Sequence, residues 1–560
     1  DEERAVRTVV VVGGVAGGMS TAARLRRLDP QARIVVIEQG AEVSFANCGL
    51  PYFVGGEIER RESLLLHTPR SLARTLGLDV RVCTEALSID RAARTVTMRG
   101  PAGEETIGYD ALVLAPGAVA VRPPIPGVDH PRVRTLRTVP DAEALRDWVT
   151  GGARAAVVLG AGFIGLEAVE ALSRAGLSVA LVEAAPHVLP VLDSELASWV
   201  TDELRAHGVA VHEGMAAARI EDRDGQALVT LGDGTELPAD LVVLSVGVRP
   251  RTELARAAGL ELTDTGAIVV DDQQRTSDPH IWAVGDATAS AHATTGALAP
   301  VALATPANRG GRVAADSIVG RAGRHSPDPL GTAVVRVFGL TVAMTGASRR
   351  ALGERPFHTA RVHSGHHAGY YPGATPMHLV LHFAPDGQIL GAQGVGQEGI
   401  DKRIDVIATA ARAGLHADDL VDLDLCYAPP FGSAKDPVMI LGMIADNALS
   451  GVLVQADPVT PLDPEACLVL DVRNRDEWDR GHVEGAMLVP QPEVAGALES
   501  IREQAAGRLV VVHCASGFRS YLAHRTLAGA GMPSASLSGG FTTLSRTQPD
   551  VVASPALAVG

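Results

Sequence analysis

The stretch RAAVVLGAGFIGLEAVEALSRAGLSVALVEAA, residues 154–185, decides the fold. RAAVVL reads as a buried strand, Gly160, Gly162 and Gly165 as a turn, LEAVEALSRAG as a helix, and LSVALVE as the next strand, ending on Glu183. A glycine-rich turn between strand and helix aims backbone N–H groups and the positive helix end at a pyrophosphate. GxGxxG alone is a weak signal, but with this context and an acid about twenty residues on it marks a dinucleotide-binding unit. Glu183 stands where a carboxylate accepts from a ribose 2′-OH and repels a 2′-phosphate, which favours NADH over NADPH. A strand-end surface acid is the alternative reading of Glu183.

The arrangement occurs twice. Residues 6–40, VRTVVVVGGVAGGMSTAARLRRLDPQARIVVIEQG, repeat strand, turn, helix and strand, ending near Glu38. Here Gly13, Gly14, Gly17 and Gly18 form the turn, and Val15 replaces the middle glycine. Each unit is followed by an apolar strand before a glycine, YDALVLAPGA (109–118, with Gly117) and ADLVVLSVGVRP (239–250). The segment TSDPHIWAVGDAT (276–288) then places Gly285 and Asp286 after another buried strand, where an Asp commonly meets the ribityl chain and pyrophosphate of a flavin. Two dinucleotide units and this GD pair imply FAD in the first and NADH in the second, with the cofactors carrying the hard chemistry. The fold class that follows is α/β, with two Rossmann-like domains.

Composition sets the bounds. At roughly 100–200 residues per domain, 560 residues suggest three to five domains. Hydrophobic residues make up 46% and aromatic residues 3%, as in Val-rich parallel sheets buried on both faces. The net charge of −16 makes nucleic acid and anionic membrane poor partners. No apolar run reaches the ~18 residues of a spanning helix. The acidic start DEERAVRT runs straight into a strand and does not read as a signal peptide, and Asp1 suggests a trimmed N-terminus. Five cysteines, Cys48, Cys83, Cys426, Cys467 and Cys514, with no CxxC, are neither a disulfide framework nor a zinc site. They point to a reduced, cytoplasmic protein with no metal, most of whose thiols are small core residues.

Cys48 stands apart. It lies in EVSFANCGLPYFVGG (42–56), shortly after the first dinucleotide unit, with no second cysteine nearby to pair with. SFANCGLPY resembles the signature of the single-cysteine branch of the flavin-dependent pyridine nucleotide–disulfide oxidoreductases, the branch of coenzyme A-disulfide reductases and NADH peroxidases and oxidases. GGVAGG, HAGYYPGA (367–374) and YAPPFGSAKDP (427–437) resemble the coenzyme A-disulfide reductase side of it. The resemblance covers residues 6 to about 445. It implies that Cys48 stands at the flavin and pairs with a thiol from outside the chain, usually coenzyme A. Cys48 at a helix start is expected to have its thiolate stabilised by the helix dipole and local N–H groups. The resemblance places Ser44 and Asn47 at the pantetheine arm, Ser20, Arg24 and Arg27 at the nucleotide end, and Lys435 on coenzyme A. For each arginine a solvated helix face is the alternative. It also implies a homodimer in which Tyr427 and Tyr370, or Tyr371 beside it, approach the cysteine from the other subunit, where a phenol can donate to a leaving thiolate.

The last hundred residues restart as a small α/β unit. CLVLDVRNRDEWDRGHVEGA and VVVHCASGFRS resemble a rhodanese domain. Cys514 opens a loop that ends on Arg519 before a helix, a nest of N–H groups able to hold an anionic sulfur. Four residues separate Cys514 from Arg519, one fewer than in related dual-specificity phosphatases, which fits sulfur better than phosphate. Asp471, Arg473 and Glu477 read as salt-bridged framework residues.

The expected domains are FAD-binding (1–120 and 250–324), NADH-binding (121–249), an α+β dimerisation domain (325–446), a linker (447–463), and a rhodanese-like domain (464–560). The expected activity is NADH-dependent reduction of persulfides, polysulfides or coenzyme A persulfide, with Cys514 carrying sulfane sulfur. A coenzyme A-disulfide reductase, an NADH peroxidase or oxidase, and a flavoprotein adaptor are the alternatives. The turn GGVAGGMS lacks the histidine that the family's peroxidases use.

Overall fold

The computed structural model describes residues 6–321 and 323–553, so the acidic residues 1–5, read above as no signal peptide, lie outside them. The chain divides into two compact units. One holds the residues up to Leu189 together with Leu204–Gly331, and the other holds Pro190–Glu203 and the chain from Thr332 onward.

The first unit contains two five-stranded parallel sheets built alike. In one, Ile281–Ala283, Ala111–Leu114, Thr8–Val12, Arg33–Ile37 and Asp79–Arg81 lie side by side in that order. In the other the order is Ala210–Glu213, Ser178–Glu183, Ala155–Leu159, Leu241–Leu244 and Val133–Arg134. The inner strands are continuous runs of Val, Ile and Leu because helices and a second layer cover both faces. Helices Ala16–Leu28 and Ala304–Ile318 cross so closely that a Cβ on Gly311 would lie 2.6 Å from the Gly17 carbonyl oxygen.

The second unit contains two five-stranded sheets. Five antiparallel strands run in the order Ala333–Val337, Leu340–Gly346, Ile389–Gly396, Pro376–Phe383 and His358–Gly365. Helices Ile400–Arg412 and Pro437–Leu449 seal one face with an aliphatic core that includes Leu379, Leu381, Ile404, Ile407 and Leu441. The C-terminal sheet is parallel, in the order Gln455–Ala456, Ser534–Leu537, Leu509–His513, Cys467–Asp471 and Met487–Leu488.

Two details depart from the expected layout. Residues 190–203, read within the NADH-binding segment, belong with the second unit. There Arg361, fully buried, meets Glu195 through two hydrogen bonds of 2.7 and 2.9 Å, and His382 meets Asp193 at 2.6 Å. Nor is 447–463 a free tether. Its first residues end the helix Pro437–Leu449, Gln455–Ala456 is a sheet edge, and Asp457 bonds Arg349 at 2.8 Å and Arg361 at 3.1 Å. A carboxylate between two arginines, one of them buried, holds this segment in place. The Ser538 hydroxyl also donates to the Thr359 carbonyl, so the C-terminal module is packed on the antiparallel sheet.

Candidate active sites

The two glycine turns have the same geometry. Gly13 and Gly160 take φ of +106° and +97°, and a Cβ there would meet the carbonyl oxygens of Ala115 at 2.0 Å and Ser245 at 2.4 Å. A Cβ on Gly18 or Gly165 would come within 1.9 Å of the Gly13 or Gly160 oxygen. These four positions are glycine for reasons internal to the fold. Gly162 differs: a Cβ there meets nothing within 4 Å, so the space above the helix Phe163–Arg174 is open to a pyrophosphate. In the turn that starts at Gly13 that position carries Val15, and Gly14 and Gly17 instead pack on Val43 and Val284.

The acids match as well. Glu38 accepts from the N–H groups of Gly14 and Gly40 at 2.8 and 2.7 Å, and Glu183 from those of Ala161 and Ala185, both at 2.7 Å. Each carboxylate ties its glycine turn to its strand end and keeps lone pairs for a ribose. Glu183 is buried, so it is not a strand-end surface acid. Gly117 has φ +71° with open space around a Cβ, and Gly285 has φ +80° at the turn that carries Asp286. Arg137, which the sequence did not single out, donates to Asp286 at 3.3 Å and to the Ala118 carbonyl at 3.2 Å. These residues fit FAD at the first turn and a nicotinamide dinucleotide at the second.

Cys48 lies in the short turn Asn47–Gly49 that leads into the helix Leu50–Val54. Gly49 has no room for a side chain, since its Cβ would meet Leu64 at 2.9 Å. Arg146 pins the helix by donating to the carbonyls of Phe53 and Ile58 at 3.0 and 2.9 Å. Cys48 reaches solvent, and its thiol points to the Asn47 side-chain oxygen at 3.6 Å. Partial desolvation, then the carboxylates of Glu167 and Asp286, push the Cys48 thiol up, and Arg137 opposes them. This departs from the expected thiolate stabilisation: a five-residue helix has little dipole, and desolvation first, then the two acids, act against the charged form. Glu167, which also takes the Tyr52 hydroxyl at 3.3 Å, was missed because nothing local in GLEAVEAL marks it as facing Cys48.

Ser44 takes φ +53°, a strained value for a non-glycine residue. Ser20 bonds Asn308, and Arg24 pairs with Asp316 at 2.9 Å across the helix crossing, so Arg24 is not a solvated surface arginine. Arg27 is exposed. The thiols also differ from the expected pattern. All five cysteines are free, but only Cys467 and Cys514 are buried; Cys83 and Cys426 are exposed like Cys48.

In the second unit, Tyr370 and Tyr427 come together with hydroxyl oxygens 3.0 Å apart, and Tyr371 instead packs edge-on against His367. Their two loops are tied by the Ala368 N–H to the Gly432 carbonyl and by Arg403, which is buried and bonds the His366 carbonyl and Asp436. Lys435 is exposed, one residue before Asp436 caps the helix Pro437–Leu449. Tyr370 is 76% exposed, and Tyr427 and Phe431 are exposed beside it.

At the C-terminal site Cys514 is 1% exposed. Its sulfur accepts from the Gly517 N–H at 3.1 Å at the start of the helix Phe518–Gly529, and it lies 3.6 Å from the Ser520 hydroxyl. The loop carbonyls of Cys514 and Ala515 accept from the N–H groups of Phe541 and Thr542 at 2.8 and 3.0 Å. Gly540 permits that approach, because its Cβ would lie 2.6 Å from the Cys514 oxygen. Arg519 donates to both oxygens of Glu477 at 2.7 and 2.8 Å, which holds the Glu477 carboxyl down to about 2. Asp471 and Arg473 form a buried pair at 2.7 Å.

Residues 7–305 match the family described as pyridine nucleotide-disulphide oxidoreductase, and residues 459–547 match the rhodanese-like domain. The chain is 34% identical over 441 residues to coenzyme A disulfide reductase of Staphylococcus haemolyticus, covering 78% of this chain and 99% of that protein. The crystal structure of reduced Bacillus anthracis CoADR-RHD superposes with a TM-score of 0.95 at 38% identity, over 98% of this chain and 99% of that one. The NAD-dependent persulfide reductase from A. fulgidus gives 0.88 at 37% identity, over 96% and 99%. The chain therefore belongs to the pyridine nucleotide-disulphide oxidoreductase family, as a flavoprotein oxidoreductase that uses FAD and NAD(P)H and ends in a rhodanese-like domain.

Proposed function

We propose that the protein reduces persulfides, coenzyme A persulfide among them, to thiol and sulfide with electrons from NADH, and that Cys514 carries sulfane sulfur. The observation that carries this reading is two single cysteines in one chain. One follows Ser44, whose N–H donates to the Gly14 carbonyl of the turn that fits FAD, and the other sits in a loop whose N–H group meets its sulfur at 3.1 Å. The similarity to the A. fulgidus persulfide reductase supports it. Bound flavin and nicotinamide supply the two reducing electrons. Cys48 attacks a sulfur of the substrate and forms a mixed disulfide, and the departing thiolate takes its proton from the Tyr370–Tyr427 pair. Ser44, Asn47, Ser20, Arg24, Arg27 and Lys435 are the proposed coenzyme A contacts. The exposed tyrosines and Phe431 support a homodimer whose tyrosines reach the other subunit's cysteine. The buried carboxylate of Glu183 favours NADH over NADPH.

A second reading, reduction of coenzyme A disulfide itself, is favoured by the identity to the Staphylococcus enzyme. Steady-state comparison of coenzyme A persulfide with coenzyme A disulfide separates them. A kcat/KM at least tenfold higher for the persulfide is expected, and equal or reversed values make the disulfide the substrate.

A further inference from the structure

The loop Cys514–Arg519 carries one charged side chain, Arg519, and that charge is already answered. Both oxygens of Glu477 hold its guanidinium, and Glu477 is itself anchored by the Asn474 N–H at 3.0 Å. The other arginine of this framework, Arg473, is locked to Asp471 through three hydrogen bonds. The Cys514 sulfur therefore has the Gly517 N–H on it and Arg519 beside it, but Glu477 takes the larger share of the Arg519 charge and Asp471 holds Arg473.

The rim is apolar. Phe518, the fourth residue after Cys514, is 71% exposed, and Leu522, one helical turn on, is 37% exposed, so the two side chains share a helix face. Thiosulfate brings two negative charges and leaves as a sulfite dianion beside the Glu477 carboxylate. The persulfide group of an organic persulfide brings at most one charge to the reacting sulfurs, and its substituent can lie on Phe518 and Leu522 away from Glu477.

Given the carrier role of Cys514 on which this rests, we propose that Cys514 is loaded from organic persulfides and discriminates against thiosulfate, with Glu477 and Phe518 setting that preference. In the step, the Cys514 thiolate attacks the outer sulfur of RS–SH. The Sγ–S bond forms, the donor S–S bond breaks with its electron pair leaving on RS⁻, and Cys514 ends as a persulfide that keeps the proton. No oxidant or reductant is consumed. Glu477 acts through Arg519 and is a specificity-positioning residue.

The test uses the full-length holoprotein in a Cys48→Ser background, with peptide mass spectrometry of Cys514 after single-turnover exposure to glutathione persulfide or thiosulfate. Glutathione persulfide is expected to load Cys514 at least about tenfold faster. Glu477→Gln should raise the thiosulfate rate about tenfold and leave the persulfide rate within about threefold. Phe518→Lys, on an exposed side chain that the core does not need, should raise thiosulfate loading and slow the persulfide. Equal or faster loading by thiosulfate in the unaltered loop overturns the proposal, as does Phe518→Lys leaving both rates unchanged. Failure of every donor to load Cys514 overturns instead the carrier role beneath it.

Discussion

Tyr370 and Tyr427, fifty-seven residues apart in the chain, face each other with hydroxyl oxygens 3.0 Å apart, and the bond from Tyr370 pushes the Tyr427 phenol up. A phenol held protonated by its neighbour is a proton donor rather than a base. Tyr370→Phe and Tyr427→Phe are each expected to lower kcat roughly 10–100-fold with little change in thermal stability. Because the two share one hydrogen bond, the double variant should lose far less than the product of the single losses. Stopped-flow turnover of the three variants checks this, and full additivity would show that the tyrosines act separately.

Glu183 supports its glycine turn through two backbone N–H groups and is proposed to meet the ribose. Glu183→Ser should raise KM for NADH at least about tenfold and narrow the gap to NADPH, since the repelling charge is gone. Paired KM measurements decide it.

The carboxylate of Glu167 helps hold Cys48 as a thiol. Glu167→Gln should lower the Cys48 pKa and speed its alkylation by iodoacetamide near neutral pH by about three- to tenfold. Ultraviolet absorbance of the thiolate against pH gives the shift directly, and an unchanged titration would remove Glu167 from the account.

Where the C-terminal module packs on the antiparallel sheet, His363 and His378 are joined Nδ1 to Nδ1 at 2.8 Å, and His363 bonds Thr543. Burial first, then His378 and nearby arginines, lowers His363 to about 3, and burial with Arg546 lowers His378 to about 4. Both rings are neutral in the folded protein and charge more easily when it unfolds. Their stabilisation is therefore complete above about 6.5, the ordinary value, and fades as pH falls toward 4 and 3. The loss from His378 alone is on the order of 3 kcal/mol. Denaturant midpoints measured from pH 7 to 4 should fall, and His378→Gln should flatten that slope.

The Arg361 side chain has no exposure and is held by Glu195 and Asp457. Glu195→Gln leaves part of that buried charge uncompensated and should cost about 3 kcal/mol or more. Thermal unfolding monitored at Trp199 reports on this region, and a change within experimental error would mean the pair carries no net stability.

The repeated units and the sulfur loop were legible because their chemistry is local. Gly13 and Glu38, Gly160 and Glu183, and Cys514 and Arg519 lie at short, fixed spacings that strand and helix geometry impose. The pairs that hold the second unit together were not. Glu195 with Arg361 and Asp193 with His382 are separated by 166 and 189 residues, and no periodicity relates them. The choice of Tyr370 over Tyr371 depends on how two distant loops meet. The state of the Cys48 thiol depends on Glu167, which comes from a different segment. The segment 447–463 reads as a linker because Pro, Asp and Gly resemble loose chain, whereas Asp457 is an ion-pair partner.

In the proposed reaction, electrons from NADH reach substrate sulfur through Cys48. Sulfide release from coenzyme A persulfide, measured under NADH with the Cys48→Ser holoprotein, tests it most directly. Release should fall at least about a thousandfold, while NADH still bleaches the flavin absorbance at the unaltered rate. Sulfide release that continues at a rate near that of the parent protein would contradict the account.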